Sequence, residues 1–393
     1  MLNWLDNGGG NSQNASSGFH NLQLDIVGFL AILGEASVKA NAQVSTLSKF
    51  SLLPRLLPAP QALIRTSRPE SLKPDNGKVI GARSGGIRDF VNHIAHLVHS
   101  IHPLPAYAVR CERISKPNPT STVSAYTWGP LAWLSLLGTA MSVALLALSI
   151  ARNDGFALLA TILLSLLSTL IGFGSRWNLS LMKRKQKRRV PRDNIIIKYP
   201  HGAFLVVKCD ENVARELYWH PEECQYTFGD TIYRIVSLIG TITLMFGVIC
   251  LGNSTLPLQI AFAAAYMILN AAYWVVAALP PQWHWDLSCY KVKRELYEGG
   301  EDHENFTQAL WKAIAITKSV EWVKIGQIAP VSEAWKAWVE TAGDVVERDK
   351  ESWEAEGLGG EGSDDENGGK LPSWDAERAL TEFLDPDEAG KNV

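Results

Sequence analysis

Ile235–Trp285 reads IVSLIGTITLMFGVICLGNSTLPLQIAFAAAYMILNAAYWVVAALPPQWHW, 51 consecutive residues without an Asp, Glu, Lys or Arg. In a chain that is 20% charged, such a gap arises by chance on the order of once in 10⁵, so it reflects selection for an apolar solvent. A bilayer core about 30 Å thick takes roughly 20 apolar residues as helix. The stretch therefore divides into two spans, about Ile232–Leu251 and Leu256–Leu279, separated by the turn signal Gly252-Asn-Ser-Thr-Leu-Pro257. Upstream lie two more gaps, 35 residues over Pro117–Ala151 and 21 over Gly155–Ser175. They supply spans at about Gly129–Ile150 and Phe156–Phe173. Core helices of a soluble fold are shorter and amphipathic. The expected fold class is mainly α, a four-span helical membrane protein built as two hairpins, with a small cytoplasmic ββα module and C-terminal helices.

Orientation follows from basic residues near the span ends. After the second span stands a collar containing Arg176, Lys183, Arg184, Lys185, Lys187, Arg188, Arg189 and Arg192. Arg110, Arg113 and Lys116 precede the first span, and Lys291, Lys293 and Arg294 follow the fourth. Against these fourteen, the two opposite loops hold one basic residue, Arg152. Both termini and the central loop are expected on the cytoplasmic side, in a plasma or internal membrane. Trp128, Trp133, Tyr273, Trp274, Trp283 and Trp285 fall near the interfaces, where amphipathic rings settle. Beside a membrane the collar is first a topology determinant and second a patch for anionic head groups. Nothing in it interleaves aromatics as nucleic-acid binding would require.

The averages of the whole chain hide this layout. Its 393 residues are 47% hydrophobic with a net charge of −3, and the mean hydropathy is zero. Those values exclude collagen, a disulfide scaffold and a wholly disordered chain. Met1–Gly10 lacks the basic start of a cleavable signal peptide. The five cysteines form no CxxC or zinc spacing and read as reduced thiols.

Outside the spans, residues 1–87 are expected to be largely disordered, with a short apolar helix at Leu22–Leu33 and a Pro-rich linker over Leu52–Lys78. Residues 88–125 carry a helix of about Arg88–His102 followed by a linker. In that helix His93, His96, His99 and His102 recur every third residue, opposite Phe90, Ile94, Leu97, Val98 and Ile101. The spacing is that of an amphipathic helix whose polar face the histidines form, lying on a membrane or another domain rather than holding a metal. Residues 126–174 and 232–280 are the two transmembrane hairpins. Within 175–231, Asn194–Tyr199 and Ala203–Cys209 are β-rich runs joined by Pro200-His-Gly202, and Glu211–Trp219 is a short helix. A unit that small cannot bury a core alone and must lean on the C-terminal segment, the membrane or a second copy. Residues 281–355 read as Trp-rich helices, about Asn305–Ile325 and Ser332–Ala355. The acidic tail, 356–393, is expected to be disordered; within it Ser373, Trp374, Leu380, Phe383 and Leu384 have the pattern of a helix-in-groove docking motif.

No phosphate loop, GxSxG elbow, HExxH or GxGxxG after a strand occurs, and His20-x-x-x-x-Asp25 is an HxxxxD spacing without a supporting acyltransferase block. The span centres hold no ionisable side chain, whereas pumps and proton-coupled carriers place them there. Gln259 and Asn270, eleven residues apart on one helix face, read as interhelical hydrogen-bond partners. Phe204–Tyr218 (FLVVKCDENVARELY) and Gln259–Pro280 (QIAFAAAYMILNAAYWVVAALP) resemble an uncharacterised family of multi-pass membrane proteins from filamentous fungi. The resemblance covers about residues 120–340 and implies topology but no activity. The expected function is a non-enzymatic scaffold or interaction role without cofactor or metal. An oligomeric channel or transport accessory subunit is the alternative, and a lipid-modifying enzyme using interfacial His residues comes third. The expected partners are the bilayer, anionic head groups at the cytoplasmic face, a second copy of the chain, and a cytosolic protein on the acidic tail.

Overall fold

The computed structural model describes residues 35–100, 103–118, 120–181, 193–355 and 371–385. Strands β1 (Asp75–Gly81) and β2 (Ile87–Val91), helix α1 (His93–His99) and strand β3 (Val109–Ser115) precede the first long helix. Helices α2 (Pro130–Ala151) and α3 (Gly155–Gly174) follow, then strands β4 (Asp193–Lys198) and β5 (Phe204–Cys209). After helices α4 (Asp230–Gly252) and α5 (Leu256–Ala278) come strand β6 (Lys291–Glu295) and helices α6 (Phe306–Thr317), α7 (Glu321–Gly326), α8 (Glu333–Ala355) and α9 (Ala376–Leu384).

Helices α2 to α5 are long and apolar enough to cross a membrane. Pro130 opens α2 at a position where its missing N–H costs nothing. Asp154 caps α3 by accepting the Ala157 N–H, and it also accepts the Thr255 N–H at the start of α5, joining the two far-side turns. The helices stand in a row, α5 against α2, α2 against α3, and α3 against α4. Small residues set the close approach: a methyl on Gly247 would stand 2.8 Å from Leu164, and one on Gly174 would stand 2.9 Å from Val236. Ser142 and Ser165 share a 2.6 Å hydrogen bond between α2 and α3. On the outer face of α4, Ile235, Leu238, Ile239, Ile242, Met245, Phe246 and Ile249 are 46–61% exposed. A band of that kind suits lipid and would aggregate in water.

The remaining segments meet on one side of the row in a six-stranded sheet of order β6-β3-β5-β4-β1-β2. Only β3 and β5 run parallel; every other pair is antiparallel. Gly202, at φ +80°, makes the tight turn between β4 and β5. Ile195, Ile197, Leu205 and Val207 face α1 and the helical turn of residues 211–219, while Ile196, Phe204 and Val206 face α6 to α9. Burial on both faces explains why these strands read as unbroken apolar runs instead of alternating ones. Two short clasps tie the sheet to the row. Ser124–Ala125 pairs with Trp285–Asp286 at the ends of α2 and α5, and Trp177–Ser180 pairs with Glu223–Tyr226 at the ends of α3 and α4.

Several segments differ from the sequence reading. Residues 194–219 are the centre of a larger domain, because β1, β3 and β6 supply the partners that two strands lack. The helix expected over Arg88–His102 is only His93–His99; Ile87–Val91 pairs with β1 as a strand. The start of the Pro-rich stretch, residues 53–56, packs against the long apolar helices α2 and α3, and its last residues enter β1. Lys318, in the left-handed region at φ +52°, breaks the expected Asn305–Ile325 helix into α6 and α7. The docking pattern in the tail is occupied by the chain itself: α9 lies on α6 and α8, Trp374 stands 4.6 Å from Trp311 and 5.4 Å from Trp338, and Trp338 donates to the Ala376 carbonyl. Leu22–Leu33 lies outside the described residues.

Candidate functional site at the junction of helices and sheet

The stretch Lys49–Pro60 enters the row of helices from the sheet side. Pro54, Pro58 and Pro60 remove three amide donors, which lowers the cost of non-helical backbone among apolar helices. The donors that remain are satisfied by the helices: the Leu56 N–H reaches the Gly138 carbonyl at 3.3 Å, and the Arg55 N–H reaches the Ser168 hydroxyl at 2.9 Å. Ser168 in turn donates to the Leu53 carbonyl. Glycines admit this backbone. A methyl on Gly172 would stand 2.3 Å from the Ser51 carbonyl oxygen, and one on Gly138 would stand 3.0 Å from that of Leu56. Gly138 is about 12 Å along α2 from its first residue. Leu56 is fully buried among Leu145, Leu164, Phe262 and Leu269.

Arg55 is carried in with it. Its guanidinium donates from Nη1 to the Phe50 carbonyl at 2.8 Å and meets the Tyr273 hydroxyl, while Nε is buried with no partner among the described residues. A charge among the spans is thus supplied by a segment outside them, which inspection of span centres cannot find. The available signal is the set of apolar pairs Leu52-Leu53, Leu56-Leu57 and Leu63-Ile64 between the prolines.

Beside this segment, at the sheet-side ends of α3 and α4, a cavity of about 130 Å³ is walled by Lys39, Arg65, Arg68, Ser175, Tyr226 and Tyr233, among others. The Arg68 side chain is 5% exposed. Its guanidinium carbon lies 4.1 Å from the Tyr226 ring centre and 4.5 Å from that of Tyr233. It donates to the carbonyls of Gly174 and Phe228 and to Asp230, and Nε is left buried without a partner among the described residues. Burial pushes the Tyr226 hydroxyl well above the usual tyrosine range.

The sheet domain holds a second class of buried polar groups. His99 Nδ1 lies 2.6 Å from Glu112 and Nε2 lies 2.7 Å from the Tyr218 hydroxyl. Lys116 donates to Glu216 at 2.5 Å, and Tyr290 donates to the same oxygen. Glu295 receives both Arg113 and Lys208. The Glu222 carboxylate accepts the Ile94 N–H at the start of α1, and burial pushes its pKa up to about 7. The histidine stripe is therefore not a plain polar face. His93 pairs with Asp75, His99 is 5% exposed inside the domain, and burial lowers the pKa of His96; His102 lies outside the described residues.

Of the residues the sequence singles out, Lys183, Arg184, Lys185, Lys187, Arg188, Arg189 and Arg192 all lie outside the described residues. Gln259 donates to the Gly252 and Ser254 carbonyls and closes the turn between α4 and α5. The Asn270 Oδ1 is buried with no partner among the described residues. The two are about 16 Å apart along α5 and form no common site. No family model, no curated protein and no solved structure matches the chain.

Proposed function

We propose that the chain is a non-enzymatic, multi-pass membrane scaffold, with its termini and sheet domain on the cytoplasmic side and anionic head groups among its partners. One observation carries this reading. A single apolar cluster runs from Ile94, Leu97 and Tyr218 through Trp177 and Trp285 into Leu131, Leu134, Leu167, Ile171 and Tyr273. Sheet domain and membrane helices thus share a core, as suits a platform presented rigidly at the bilayer. The resemblance to fungal multi-pass proteins agrees with this topology and adds no activity.

The channel or accessory-subunit alternative draws on Arg55, because an ionisable side chain among membrane helices commonly marks a pathway. Leu56 plugs the row of a single chain, so a pore would have to form between copies. Reconstitution of the full chain into liposomes separates the two. The scaffold reading expects no ion flux above empty vesicles, and proximity labelling from the sheet domain that captures a reproducible set of cytosolic proteins. Flux that Arg55→Met abolishes would overturn it.

A further inference from the structure

We infer that the cavity between Lys39, Arg65 and Arg68 is a binding site for the phosphate of one anionic glycerophospholipid, whose acyl chains lie along the groove between α3 and α4. The inference rests on the reading of the chain as a membrane protein and assigns its anionic-lipid contact to a defined place.

Charge is the first argument. Among the described residues, the walls hold three cations and no carboxylate. Glu35 pairs with Lys39, and Asp230 takes one Nη of Arg68 from outside the cavity. Arg65 donates from Nε to the Ala62 carbonyl, and its exposed side chain leaves both Nη groups open to an anion. The Arg68 Nε is buried with no partner among the described residues. A guanidinium held between two aromatic rings keeps its charge and sheds its water, so an anion entering the cavity replaces solvation already lost.

Position is the second. A narrow apolar slot lined by Ile64, Leu170, Val236 and Gly240 shares the walls Leu63, Ile171, Ser175 and Tyr233 with the cavity. The slot lies in the seam between α3 and α4, so the cationic chamber and that seam adjoin across these four side chains. Arg65 is anchored at that level, since Ser237, two turns into α4, donates to its carbonyl at 2.8 Å. A polar chamber of head-group size above an apolar seam matches a lipid phosphate better than a soluble anion, for which the seam is irrelevant.

The test is native mass spectrometry of the full chain released from micelles, with phosphatidic acid, phosphatidylserine or phosphatidylcholine added at equal concentrations. One adduct per chain is expected for each anionic lipid, and none of comparable persistence for phosphatidylcholine. Lys39 and Arg65 are exposed, so Lys39→Gln with Arg65→Gln spares the fold. The pair should weaken the anionic adduct about 25-fold, the product of about fivefold per basic side chain at a membrane surface. Lys293→Gln, which removes one charge from exposed β6, should change it by less than twofold. Equal retention of phosphatidylcholine, or an unchanged adduct in the double variant, overturns the inference. Inorganic phosphate or glycerol phosphate displacing the lipid at equal concentration overturns the lipid assignment in favour of a soluble anion. If the adduct fails while labelled neighbours persist, only this inference falls; ion flux with the adduct intact overturns the scaffold reading alone.

Discussion

The two interiors of this molecule treat buried charge differently. In the sheet domain, cations meet carboxylates: Lys116 with Glu216, Arg113 and Lys208 with Glu295, Arg110 with Glu301. Among the helices, Arg55 is held by a carbonyl and a tyrosine hydroxyl, and no carboxylate among the described residues pairs with it. Pairing offsets the desolvation of both ions but makes each partner indispensable, because removing one strands the other. A lone guanidinium satisfied by neutral acceptors strands no charge when it is removed, only the neutral groups it bonded. The difference implies opposite responses to mutation at equal burial.

The largest effect is expected at Glu216. Glu216→Gln leaves the Lys116 side chain, 6% exposed, without its counter-charge. A loss of about 3–5 kcal/mol of domain stability should follow, read by thermal unfolding in detergent. Adding Lys116→Met should restore most of it, and failure of that rescue would show that the pair is not the stabilising unit. Next in size is a pH effect. Burial raises the Glu222 carboxyl to about 7, against 4.5 for the unfolded chain. Between those values the folded state holds a proton that the unfolded state has released. Its contribution is fully present below pH 4.5, declines as pH rises, and is lost above about 7. It amounts to about 3 kcal/mol. Glu222→Gln should flatten that slope while keeping an acceptor for the Ile94 N–H; an unchanged slope would place the titration elsewhere.

How far the sequence reveals the fold divides along the same boundary. Spans announce themselves because a membrane demands some 20 apolar residues in an unbroken run, and α2 to α5 end within two residues of the reading. Strands such as Val109–Ser115, VRCERIS, hide because three of their seven side chains are charges, two of them destined for partners more than 180 residues away, Arg110 for Glu301 and Arg113 for Glu295. Arg55 was invisible for a related reason. A local window around it shows prolines and leucines, the ordinary marks of a linker, and only the facing glycines at 138 and 172 show that the backbone is buried. Of the candidate site, the charge was legible as a general excess of basic residues on one side, but its focus at Arg65 and Arg68 depends on ring packing by Tyr226 and Tyr233.

Smaller effects test the fit of the inserted segment. Gly172→Ala places a methyl 2.3 Å from the Ser51 carbonyl oxygen, a backbone atom that cannot swing aside. A cost of about 1–3 kcal/mol is expected, with Gly155→Ala, where nothing lies within 4 Å, as the neutral comparison. Equal stability of the two variants would mean that residues 49–60 are not held against α3.

Arg55→Met is expected to change stability least. The substitution forfeits the bonds to the Phe50 carbonyl and the Tyr273 hydroxyl, about 1.5–3 kcal/mol for a charged donor. It also removes a guanidinium whose Nε is buried without a partner, and a flexible thioether chain of similar length can fill the volume. Those terms oppose each other and should leave a net change within about 1 kcal/mol, seen as a small shift in the unfolding temperature of the full chain in detergent. A loss as large as that of Glu216→Gln would mean that Arg55 is neutralised as Lys116 is, and the contrast between the two interiors would fail. A near-neutral change in stability together with altered ion flux would instead separate the charge from the fold, since Arg55 would then act on what passes between the helices and not on how they pack.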